Sequence, residues 1–156
     1  MQFDDEMAAF FAGGVSVCIA SRNASLVPSI ARAKSCRLIR STPTRIRVVV
    51  SVAHAGECLE DVRASGMISA ALSRPSTHRS LQFKGSDARI EALTEEDRAS
   101  MVLYETAFAA SIGPLGFART FTHSFLESPP DEVAIEFTPT DAFQQTPGPG
   151  AGARLP

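Results

Sequence analysis

Within six positions the chain sets Arg74, Ser76, Thr77, His78 and Arg79 at the head of the stretch RPSTHRSLQFKGSDARIEAL. Guanidinium groups and hydroxyls at a turn, beside free backbone N–H groups, are the donors that hold a phosphate. The competing reading is a solvated entrance to a strand, because such clusters also occur on surfaces without a ligand. A second basic pair, Arg32 and Lys34, alternates along one side of LVPSIARAK, with Ser29 and Ala31 on the other. There, binding competes with a charged outer face that shields a sheet edge.

Other chemistry is weaker. Glu57 with Asp61, and Glu95, Glu96 and Asp97, fall at helix starts or on exposed helix faces, where capping and solvation explain them better than general acid–base work. His54, His78 and His123 have no ligand partner at helical spacing, so no metal is expected. Cys18, Cys36 and Cys58 form no CxxC pair and read as buried, inert thiols. The sequence contains no GxSxG elbow, P-loop or GxGxxG. No catalytic constellation stands out.

The elements that would position these residues follow from periodicity. Phe3, Met7, Phe10 and Phe11 have helical spacing, and Gly13-Gly14 ends that helix. Strands are expected at Val15–Ser21, Leu26–Ile39, Arg45–Val52, Met67–Ser73, Arg79–Leu93 and Glu132–Phe143. Gly85, midway along the fifth, suggests a bulge or sharp bend. A helix from His54 to Ser65 ends at Gly66. Another starts at the capping box Thr94-Glu95-Glu96-Asp97 and runs to Ile112, and a further helical piece spans Leu115–Glu127. Six strands in antiparallel meanders with helices packed on them make a small barrel. Residues 1–145 form one domain, and the Gly/Pro-rich 146–156 segment is expected to be a flexible tail.

Bulk properties exclude several classes. A length of 156 residues, 44% apolar and 21% charged, suits one soluble core. A net charge of −2 argues against a nucleic-acid binder. No run is long enough to span a membrane, and the acidic start MQFDDEM lacks a secretory n-region, so a cytoplasmic protein is expected.

The order of elements, with VCIASRNASLVPSIARA, the helix-to-strand join RASGMISAAL, and LQFKGSDARIEAL, resembles the pyridoxamine 5′-phosphate oxidase-like, FMN-binding split-barrel family over roughly residues 4–143. The resemblance implies a mainly β split barrel, six-stranded and Greek-key-like, with flanking helices. It also implies a homodimer with FMN sites at the subunit interface and a small-molecule electron donor or acceptor, without nucleic acid or membrane. Carried over, Arg32 and Lys34 contact the phosphate or ring, Ser73, Arg74, Ser76, Thr77 and His78 form the adjoining turn, and Arg79 and Ser80 stand at the family's Arg-Gln pair, with Gln82 on the same face. Two departures are visible: Ala55-Gly56-Glu57-Cys58 replaces the Arg-Lys that holds the phosphate at the start of the family's intervening helix, where Glu57 would repel a phosphate, and Ser80 replaces Gln. The alternative is a non-catalytic module of the same fold that holds heme or a deazaflavin, with His78 or His123 as axial ligand, or no cofactor.

Overall fold

Among the residues described by the computed structural model, 3–155, nine strands stand where six were expected, and one event accounts for the difference. Three of the expected strands each bend and change sheets. Leu26–Ile39 becomes β2 (Pro28–Arg32) and β3 (Ser35–Ile39); Arg79–Leu93 becomes β6 (Ser80–Gly85) and β7 (Arg89–Glu91); Glu132–Phe143 becomes β8 (Glu132–Phe137) and β9 (Asp141–Gln144). With β1 (Ser16–Arg22), β4 (Arg45–Ser51) and β5 (Ile68–Ser73), they form a five-stranded sheet, β2-β1-β5-β6-β9, and a four-stranded sheet, β3-β4-β8-β7. Every pairing between named strands is antiparallel.

The corners have local causes. A Cβ added to Gly85 would lie 2.6 Å from Phe137 Cδ2 and 2.7 Å from the Thr138 carbonyl oxygen, so only glycine lets the two bends approach. The bends are also tied together, with the Thr138 amide donating to Asp87 Oδ1 at 2.8 Å and the Thr140 amide to the Lys84 carbonyl at 2.8 Å.

The inward sides of the two sheets make one core. Val17, Ile19, Leu72 and Phe83 from the first join Ile46, Val48, Val50, Ile135 and Phe137 from the second, all fully buried. Burying each such side chain contributes about 1.5–3 kcal/mol. Helix α1 (Asp5–Ala12), capped by Asp4 through the Met7 amide at 2.8 Å, adds Phe10 and Phe11. Helix α2 (Val52–Ser65) contributes Cys58, Leu59 and Val62 and ends on Gly66 at φ 66°, where a left-handed residue closes the helix.

Helix α3 (Glu95–Ile112) begins with the capping box: Thr94 accepts from the Asp97 amide, and Asp97 accepts from the Thr94 amide. The same carboxylate reaches under the helix to Arg47, which is 5% exposed. Helix α4 (Arg119–Leu126) follows a single 3₁₀ turn, Gly113–Leu115. The 146–155 segment, expected as a flexible tail, turns back on β9. The Leu155 amide donates to the Ala142 carbonyl at 2.8 Å, and the Leu155 side chain packs on the core. Composition undervalued this single apolar anchor.

Candidate functional site

The register of the five-stranded sheet places Arg32, Cys18, Ala71, Gln82 and Phe143 in one row across five strands. Residues directly opposite share a face, so this row defines the side of the sheet turned away from the core. Around it lie Ser16 and Ala20 on β1, Ser69 and Ser73 on β5, and Ser80 on β6, all half-buried, with Ala71 exposed. Ile30, on the same side of edge strand β2, is 72% exposed. Strands β1 and β5 therefore present small side chains here, with Gln82 and Lys84 of β6 beside them, and a flat ring could approach the β1 and β5 backbone closely. Polar groups border this floor. Arg32 donates to Ser16 Oγ at 2.8 Å, Ser80 Oγ to Ser73 Oγ at 2.8 Å, and Gln82 Nε2 to Ser69 Oγ at 2.8 Å.

Of the ten residues expected to bind a cofactor, Arg32, Ser73, Ser80 and Gln82 share this face. Ser76, Thr77 and His78 form the exposed tip of the β5–β6 hairpin. The tip closes on itself: the Thr77 and His78 amides donate to the Arg74 carbonyl, and the Arg79 amide to Thr77 Oγ1. The free N–H groups expected there are thus largely spent within the turn, and His78 takes φ 59° to complete it. Arg74 and Arg79 clamp the Phe10 ring of α1, with guanidinium carbons 5.3 and 5.0 Å from its centroid. Arg79 also pairs with Glu6 at 2.9 Å. The phenyl ring attracts both cations, and this draws them onto the helix.

Lys34 is the clearest departure. It was expected beside Arg32 on one strand face, but β2 ends at Arg32 and Lys34 lies within the bend that leads to β3. Its Nζ pairs with Glu132 Oε1 at 2.6 Å and donates to Ser128 Oγ at 2.7 Å. This cation is neutralised within the chain. Arg32, at the other side of the bend, lies 4.3 Å from the Phe125 ring of α4.

The start of α2 was expected to be unfavourable to phosphate because of Glu57. Glu57 lies beyond the first turn and is exposed. The N-terminus is taken instead by Asp131. Its Oδ2 accepts from the Ala53 amide at 2.7 Å, its Oδ1 from Ser51 Oγ at 2.8 Å, and its backbone carbonyl from the Val52 amide at 3.3 Å. The Ser51 hydroxyl, with burial opposing it and the Ala53 amide adding to it, holds this carboxyl below the usual carboxylate range. Sequence reasoning missed Asp131 as a site residue because its partners lie 78 to 80 positions away. The only local signal was the Pro129-Pro130-Asp131 turn.

Neither histidine offered as an axial ligand is enclosed: His78 is exposed, and His123 is exposed and 3.3 Å from Glu105. Among the described residues no cluster of three or more His, Cys, Asp or Glu could hold a metal ion. An apolar cleft of ≈ 510 Å³ between α1, β3 and α3, lined by Phe11, Leu38, Leu103 and Tyr104, contains none of the ten residues.

A flavin divides on this geometry. The small-residue floor leaves room for its ring, whereas the α2 N-terminus and Lys34, to which the family resemblance assigns the phosphate, are filled by the chain's own carboxylates.

No protein-family model and no curated protein matches the chain. Solved structures do. Group A Streptococcus HupZ matches with a TM-score of 0.58 at 17% identity, over 97% of this chain and 100% of that one. A pyridoxamine 5′-phosphate oxidase-related, FMN binding protein from Nostoc punctiforme matches with a TM-score of 0.54 at 10% identity, over 96% and 87%. An F420 reductase matches with a TM-score of 0.53 at 13% identity, over 86% and 93%. At these identities the likeness is one of fold, and it agrees with the element order: the chain has the split-barrel fold of the pyridoxamine 5′-phosphate oxidase-related, FMN-binding proteins.

Proposed function

We propose that this chain is a flavin-binding, oxidoreductase-like protein that holds FMN against the outward face of its five-stranded sheet. The observation that carries the reading is the floor of Ser16, Cys18, Ala20, Ser69, Ala71 and Ser73, edged by Arg32, Ser80 and Gln82. When bound, the flavin supplies hydride or electron transfer, and the protein orients it. The small side chains set the approach distance of the ring. Gln82, held by Ser69 and Gln145 at 2.8 and 3.0 Å, presents a fixed amide to the ring edge. Arg32 supplies positive charge beside it. A second copy of the chain, docked on the same face, excludes water from the ring, and a small-molecule donor or acceptor enters at the interface.

A cytoplasmic location is part of the proposal; no helix among the described residues is long and apolar enough to cross a membrane. The likeness to an F420 reductase favours a deazaflavin as the second reading, because the same floor accepts either tricyclic ring. The experiment is the absorbance spectrum of the protein as first purified, and again after saturation with FMN and gel filtration. Retained flavin absorbance supports the proposal. Its absence in both samples overturns the FMN reading, and the same titration with a deazaflavin then decides the second.

A further inference from the structure

One short segment, Ser128 to Glu132, brings two adjacent carboxylates to two separate groups that favour anions. Asp131 takes the positive end of α2 through the Ala53 amide and Ser51 hydroxyl at 2.7 and 2.8 Å. Glu132 takes Lys34 at 2.6 Å, with both side chains largely buried, at 16% and 11% exposure. Ser128, from the same segment, accepts a further bond from Lys34 at 2.7 Å. Pro129 and Pro130 fix φ just ahead of the pair and limit the ways it can withdraw. The β4–β8 register then holds it in place, with Ser51 directly opposite Glu132.

We infer that Asp131-Glu132 is a tethered dianion that stands in for a ligand phosphate, so that the chain selects its ligand by the ring and not by a phosphate monoester. Glu57 plays no part in this, since it lies outside the first turn. The inference rests on the flavin reading for its ligand, but the occupied anion seats are independent of it. A phosphate arriving at α2 would have to displace a carboxylate that is already hydrogen-bonded and part of the chain. At Lys34 it would break a partly buried ion pair, whose separated charges are costly to leave unpaired. Riboflavin carries the same ring as FMN without the phosphate and is therefore the discriminating probe.

The test compares the affinities of FMN and riboflavin by fluorescence titration for the wild-type protein, Asp131→Ala, Glu132→Gln and the double variant, with circular dichroism to verify folding. Wild type is expected to bind the two flavins within about threefold of each other. The double variant is expected to prefer FMN by about tenfold or more, the scale of one or two charge-assisted hydrogen bonds. A wild-type preference for FMN of tenfold or more overturns the inference, and this arm needs no variant to fold. If neither flavin binds any protein, the flavin reading fails and inorganic phosphate decides the inference alone. A rise in melting temperature of the variants, absent in wild type, in phosphate over chloride at matched ionic strength upholds it. No phosphate response in folded variants overturns it.

Discussion

Asp97 shows how one side chain can serve two levels of the structure. As the last residue of the α3 capping box it satisfies the helix start, and the sequence TEED displays that role. Beneath it, Arg37 and Arg47 stand directly opposite each other on β3 and β4, a like-charge pair that would repel. Asp97 accepts from both, from Arg37 at 3.0 Å and Arg47 at 2.7 Å, while Glu136 takes the remaining side of Arg47 at 2.9 Å. Burial opposes the charge on Asp97, but the bonds from Arg47, the Thr94 amide and Arg37 outweigh it and hold the carboxyl well below its usual range. Asp97→Ala leaves Arg47 buried without its main counter-ion and should cost about 3–5 kcal/mol in urea unfolding. The sign of the pH dependence follows. A carboxyl with a depressed folded-state pKa stabilises fully above the ordinary value near 4 and loses that contribution as pH falls below it. Urea midpoints measured from pH 6 down to pH 2 should therefore decline below about pH 4, with a shallower decline in Asp97→Asn.

At the scale of elements, the decisive events are the three bends that carry one strand from one sheet into the other. Gly85 was legible as a bend from its place in a long extended run, because glycine in a strand marks a close backbone approach. Its partner was not, since Phe137 and Thr138 lie about a third of the chain away. Gly85→Ala pushes a methyl group into Phe137 and should destabilise by about 1–3 kcal/mol. For a chain of this length each kcal/mol lowers the melting temperature by about 2–4 °C, which calorimetry can read. The bend at residues 33–34 had only Pro28 and alternating polarity near it. That pattern is equally compatible with one strand, so Arg32 and Lys34 were put on one face. The same ambiguity merged β8 with β9, where Pro139 lies in the corner.

At the scale of the whole molecule, the outward face of the five-stranded sheet is the surface on which cofactor and partner are proposed to meet. Light scattering should give twice the 16.6 kDa of the chain. Ala71→Glu places a long charged side chain at the centre of the row from Arg32 to Phe143, where a second copy would bring it against the partner's small-residue floor. This variant should run as a monomer and lose flavin on gel filtration while keeping the wild-type circular dichroism spectrum, since Ala71 is exposed. A dimeric Ala71→Glu would move the interface elsewhere.

The sequence alone determined the element types, their order and the antiparallel barrel class. These rest on short-range physics: apolar periodicity, caps such as Thr94 and Gly66, and turn residues between strands. Of the ten residues the sequence offered for a cofactor, Arg32, Ser73, Ser80 and Gln82 lie on the open face, while Ser16, Cys18, Ala20, Ser69 and Ala71 were placed there only by the strand register. Only the tertiary structure decided which of the other cations were free. Lys34 met Glu132, Arg79 met Glu6, and Asp131 met the start of α2, each across at least 73 positions of chain. Spacing along a sequence shows what a charge could bind, but the nearest opposite charge is fixed by how the strands cross.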